Sequence, residues 1–173
     1  MKRENGMTLL ELVVVLALAA SVLLVLGSYA MPWLRQEAMR SALYDVQTHL
    51  QLARVEAITR NRSCRFEIDT ATRLIRVYDR VDPADTTDDV LLHSAQIATD
   101  IVFSRPGGGD PVTLSQIGAT TAYEAVFGSD GAVSDGVGDV VFLGGVRYSR
   151  VSVFGAGGTQ VERWNDGAWH VGS

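Results

Sequence analysis

Cysteine, lysine, histidine and proline are all scarce in this chain. One cysteine in 173 residues excludes a disulfide scaffold and any zinc site built on cysteines. Four prolines and 8% aromatic residues exclude a proline-rich or mucin-like stalk. Lys2 is the only lysine, so every other basic side chain is a guanidinium. With 15 basic against 20 acidic residues the net charge is −5, and no basic field large enough for a polyanion exists. Nucleic acid is therefore not expected as a partner. At 47% hydrophobic and 20% charged, the chain is too apolar to be a disordered tail, and its length suits about one domain.

Neither the charge nor the apolar content is evenly spread. Residues 35–80 hold nine arginines against six acids, a local +3; residues 81–173 hold four arginines against twelve acids, a local −8. Residues 7–31 contain one ionisable group, Glu11. As a helix at about 1.5 Å per residue, this run would be about 37 Å long and would cross a hydrocarbon core of about 30 Å. A soluble core helix is seldom apolar on every face over such a length, so the run reads as a membrane helix.

Three readings compete for it. A secretory signal peptide would use Ala17-Leu18-Ala19 as its cleavage signature, but the apolar run continues to Met31, well past that point. A plain single-span anchor leaves Glu11 unexplained, because a carboxylate inside an apolar span costs on the order of 2.5–3.5 kcal/mol near the bilayer centre and somewhat less near its end. Nothing else in the run can pair with it; a partner must come from another chain or from a new chain terminus. A glutamate that merely snorkels to the interface is the bland alternative, since it lies one turn inside the run.

The third reading supplies the partner. The short polar leader MKRENG ends in Gly6 and is followed by Met7-Thr8-Leu9-Leu10-Glu11. This resembles the type IV prepilin signal. The resemblance implies cleavage after Gly6 by a membrane prepilin peptidase, N-methylation of Met7, and an assembly role for Glu11, which would pair with the new ammonium at Met7 of a neighbouring subunit. Met7 stands where the family usually has phenylalanine, and the proline common near the middle of pilin stems is replaced by Pro32 at the membrane exit.

Beyond Pro32, Leu43, Val46, Leu50, Ala53 and Ala57 recur at steps of three and four, while Arg40, Asp45, Gln47, Gln51 and Arg54 fall largely on other faces. A helix over residues 33–60, continuous with the span, follows. A coiled coil is the weaker alternative, with few heptads before Asn61. From Cys64 the period becomes two: Cys64, Phe66 and Ile68 alternate with Arg65, Glu67 and Asp69, and a turn at residues 69–72 leads to a strand at 73–78. Further strands are expected at 90–93, 101–104, 112–114, 122–127, 139–143, 150–154, 160–164 and 168–171, with loops at 106–110 and 128–138. Asp166-Gly167 marks a closing hairpin turn. The expected fold is α+β: a long N-terminal helix packed on a small antiparallel β-sandwich.

The stem extends the resemblance. Arg40-Ser41-Ala42-Leu43 and the run from Leu50-Gln51-Leu52-Ala53-Arg54 through Glu56-Ala57-Ile58 to Arg60-Asn61 are similar to the minor pseudopilin H group (GspH/FimT), over roughly residues 6–80. The resemblance implies a leader at residues 1–6, a transmembrane and assembly helix at 7–31, a stem at 32–61 and a periplasmic β-rich domain at 62–173. It further implies an initiating or tip subunit of a type II secretion pseudopilus or type IV pilus, with other pilins, the peptidase and the inner membrane as partners. Some members bind DNA through a basic glycine-arginine segment near the C-terminus. The comparable residues 157–163 here lack the paired arginines.

No cofactor, metal or enzymatic activity is expected. His49, His93 and His170 are scattered, with no carboxylates or cysteines clustered beside them. Cys64 reads as a small buried hydrophobe. Pro106-Gly107-Gly108-Gly109 lacks the Lys-Ser/Thr of a phosphate loop. The acidic stretches at 82–89 and 130–139 do not have EF-hand spacing and are expected to be solvated rather than calcium-loaded. Trp164 and Trp169 are expected to pair across the last hairpin or to form a subunit contact.

Overall fold

The computed structural model describes residues 9–82 and 86–171, apart from the side chains of residues 25–32 and 35. The chain divides into two compact units, Met1–Arg35 and Gln36–Ser173.

One helix, α1 (Leu9–Arg60), accounts for all the helical structure among the described residues. It runs through Pro32, so that proline does not end the helix. Its C-terminus is a Schellman motif carried by Asn61, at φ 52°: the Asn61 amide donates to the Ile58 carbonyl at 3.3 Å, and the Arg62 amide to the Ala57 carbonyl at 3.1 Å.

In the second unit, α1 buries the expected stripe. Leu43, Val46, Leu50, Ala53 and Ala57 are buried, joined by Met39 and Ala42. Covering Leu50 contributes about 1.5–3 kcal/mol relative to leaving it exposed. The stripe packs on two antiparallel sheets. The first is ordered β3 (Val90–Gln96), β2 (Leu74–Asp79), β1 (Cys64–Asp69), β6 (Ala122–Phe127), β5 (Ser115–Gln116), with β7 (Val133–Asp135) also paired to β6. The second is ordered β11 (Ala168–Val171), β10 (Thr159–Asn165), β9 (Arg147–Val153), β8 (Gly138–Gly144), β4 (Val102–Phe103). Phe66 and Phe127 from the first sheet share one core with Phe142 and Val151 from the second. The architecture is α+β, as the alternation of apolar residues predicts.

Two expectations need correction. Residues 112–114 make no strand: Pro111 has no N–H to extend a ladder, and the pairing reduces to a single bridge between Val112 and Val140. Conversely, the glycine-rich stretch at 128–138 contains β7, whose pairing with Val126 and Phe127 crosses a register shift. The closing hairpin forms as expected, with Asp166 and Gly167 both at positive φ, 51° and 80°, as a two-residue turn of this twist requires.

Candidate assembly site

Gly6 and Met7, the residues of the proposed cleavage, lie outside the described residues. Glu11 lies near the start of the described part of α1. Apart from Ser21, whose hydroxyl donates to the Ala17 carbonyl at 2.8 Å, the described side chains after it are apolar and exposed through Leu24. No helix among the described residues is long and apolar enough to cross a membrane; the continuous run of described side chains covers only residues 9–24 of the 7–31 stretch. Such an apolar surface needs a covering of lipid or protein.

The second half of α1 is tied to the domain by polar bonds at its end. Gln51 Nε2 donates to Thr159 Oγ1 at 3.3 Å, and Arg54 Nη1 to the Gly157 carbonyl at 3.2 Å. Arg60 bridges Glu56 at 2.6 Å and Asp79, on β2, at 3.2 Å. Gly157, at φ +77°, allows this closure: a Cβ there would stand 1.9 Å from the Gly131 carbonyl oxygen and 3.0 Å from Arg54 Nε. Cys64 is buried and free beside this end. Burial, then the neighbouring Asp79 and Glu56 carboxylates, push its thiol up to about 11, so it is inert at neutral pH.

Arg65 and Glu67, which alternate with the apolar residues of β1, are buried as well. The Arg65 guanidinium sits 4.7 Å from the Tyr78 ring centroid and pairs with Asp89 at 2.9 Å, Glu124 at 3.6 Å and Glu67 at 3.7 Å. Of the acidic stretch expected to be solvated, Asp89 is therefore engaged, while Asp82 and Asp88 are exposed. Burial pushes the Asp89 carboxyl up, with Arg65 opposing it; burial likewise raises Glu124, again against Arg65.

On the second sheet Asp139 pairs with Arg105 and, at 3.2 Å, with Arg150. Arg150 also holds Glu162 at 2.5 Å and lies 4.5 Å from the Trp169 ring centroid. Its neighbours in the acidic stretch 130–139 are engaged too: Asp130 Oδ1 accepts from the Ala132 amide, and Asp135 Oδ1 from Ser115 Oγ. Spacing alone could not reveal these networks, because their members lie on strands far apart in sequence.

The histidines are dispersed, as the sequence indicates. His49 contacts the Asp45 carbonyl at 2.7 Å, while His93 and His170 are exposed on separate sheets. No group of three or more histidine, cysteine, aspartate or glutamate side chains is placed to hold a metal among the described residues. Trp164 and Trp169 are cross-strand partners with ring centroids 5.2 Å apart, edge to face, but half-buried on the surface rather than in the core.

An apolar helix start, a helix end buried against two antiparallel sheets, and side-chain chemistry spent on internal ion pairs define a pilin-like subunit. The chain belongs to the family described as Type II transport protein GspH, whose profile matches residues 42–157. The prokaryotic N-terminal methylation motif matches residues 1–27 and implies processing by a prepilin peptidase. The protein is thus a minor pseudopilin or minor pilin of the type II secretion and type IV pilus class.

Solved structures similar to this chain include the minor pseudopilin EpsH from the Type 2 Secretion System of Vibrio cholerae, at 16% identity over 72% of this chain and 95% of that one, TM-score 0.48. Another is the type IV minor pilin FimU of Pseudomonas aeruginosa, at 14% identity over 75% of this chain and 99% of that one, TM-score 0.46. No curated protein matches the chain.

Proposed function

We propose that the chain is made as a prepilin, cut after Gly6, N-methylated at Met7 and held in the bacterial inner membrane by residues 7–31, with residues 62–173 in the periplasm. It then joins other pilins at the tip or initiating complex of a pseudopilus or pilus, where its work is structural. The observation that carries this reading is the register of Gly6, Met7 and Glu11 ahead of the apolar run, within the matched methylation motif. The low-dielectric setting makes Glu11 a register device: a carboxylate there is costly alone and stabilised by a neighbour's terminal ammonium.

The test is the intact mass and N-terminal peptide of the protein recovered from membranes containing the peptidase. A methylated start at Met7, six residues into the chain, is expected. A start near Ser21 would make it a secreted protein, and an intact Met1 a plain anchor; either overturns the reading.

A further inference from the structure

Within the second unit, the helix leaves part of the second sheet's inner face uncovered. Along β10, Thr159, Val161 and Arg163 point to that face, since their partners across the ladder are the buried Val153, Val151 and Ser149. Beside them α1 presents Glu37, Arg40, Tyr44 and Gln47, spaced by three and four residues along one face. Between the two lies a groove of about 640 Å³, with Leu43 and Val161 among its apolar lining. One end is closed by the hydrogen bond from Gln51 to Thr159. Arg40 and Arg163 lie away from that closure, eleven residues back along the helix and four residues on along the strand.

The charges in this groove are unanswered. Among the described residues, neither Arg40 nor Arg163 makes a hydrogen bond or an ion pair, and both are exposed. Arg60, Arg65, Arg76, Arg105 and Arg150 of the same unit are each held by carboxylates. Glu37 is the one carboxylate among the described lining residues, so the groove carries a net +1 beside a stretch, 81–173, that carries −8.

We infer that this groove receives an extended, carboxylate-bearing segment of another pilin subunit during assembly. The inference rests on the reading of the chain as an assembling pilin subunit, and adds the surface used and the chemistry of what fills it. Residues 37–47 of the helix rise about 15 Å, the length of four to five extended residues at about 3.3 Å each. A free anion would engage the guanidiniums alone and leave the rest of the groove empty. A guanidinium offers its donors in a planar fork that fits the two oxygens of a carboxylate. The Tyr44 ring and Val161 can cover an apolar residue of the segment, and the Gln47 amide can pair with its backbone. Two guanidiniums set against Glu37 make no field for a polyanion, so nucleic acid is not the occupant. Because both arginines are exposed, they act chiefly on the choice of partner, and their effect weakens with salt.

The test is photo-crosslinking in cells that express the full chain with the prepilin peptidase and the other pilins, with Tyr44→p-benzoylphenylalanine as the probe. Tyr44 is 69% exposed, so the replacement leaves the core untouched. Irradiated filaments should yield an adduct to another pilin, mapped by mass spectrometry to a peptide containing aspartate or glutamate. Arg40→Glu together with Arg163→Glu should lower the adduct per incorporated subunit by about tenfold. The unfolding midpoint should stay unchanged, because neither arginine bonds within the domain. Exchange of the mapped acidic residue for arginine should then restore the adduct. An adduct indifferent to the charge reversal, one not restored by the exchange, or one to a segment without carboxylates would overturn the inference. So would an adduct to a second copy of this chain, or none from incorporated subunits that start at methylated Met7. Subunits that keep Met1 and stay out of filaments would overturn the assembly reading, and this inference with it.

Discussion

At the scale of single residues, this domain depends on a few places where the backbone comes closer than any side chain allows. Gly157 is the sharpest. Any Cβ there meets the Gly131 carbonyl at 1.9 Å, and the φ of +77° is strained for other residues. Gly157→Ala should therefore cost about 2–4 kcal/mol, read as a lower denaturation midpoint of the detergent-solubilised protein. Asp69 acts through charge. Burial pushes its carboxyl up, but hydrogen bonds from the Thr72 and Thr121 hydroxyls and the Ala71 and Thr72 amides outweigh this and hold it at about 2. A carboxyl depressed on folding adds stability above its unfolded value, and loses it as the pH falls through the folded one. Acid should destabilise the native chain between about pH 4 and 2, and Asp69→Asn should flatten that part of the profile, measured as the unfolding midpoint against pH.

At the scale of elements, the stem helix carries two faces with different duties. Leu50 is buried in the shared core, whereas Val55 is 55% exposed on the same helix. Leu50→Ala should cost about 2–5 kcal/mol by leaving a cavity. Val55→Ala should change stability by no more than about 0.5 kcal/mol, so any loss of function it causes belongs to a contact with another subunit. Parallel unfolding curves and an assembly assay on the two variants separate these duties. The element pattern was legible before the structure: period 3.6 to Arg60, then period two from Cys64; that Asn61 closes the helix in the left-handed region is a finding of the structure. Short strands were less legible. β7 is three residues long and lies in a stretch dense in glycine and aspartate; it forms because β6 offers it an edge, which no local pattern records.

At the scale of the whole molecule, the expected work is to pass from a membrane-bound precursor into a filament through its N-terminal helix. The decisive variant is Glu11→Ala. Peptidase processing should proceed as in the native chain, because Glu11 lies beyond the cut. Incorporation should fall by tenfold or more, on the order of 1.4 kcal/mol or greater, for want of a counter-charge to the neighbour's terminal ammonium. Mass analysis of the membrane fraction and quantification of subunits in sheared filaments measure the two steps separately; unimpaired incorporation would remove Glu11 from assembly.

The sequence by itself determined what depends on neighbours along the chain: the apolar run, the helix with its buried stripe, and the Asp-Gly hairpin. Each follows from spacing or from a single residue's backbone preference. Only the tertiary structure decided that Arg65 and Asp89, 24 residues apart, form a buried pair, and that Asp139 gathers Arg105 and Arg150. Those outcomes turn on which strands become neighbours and in what register, and pairing between distant segments leaves no trace in the local order of side chains.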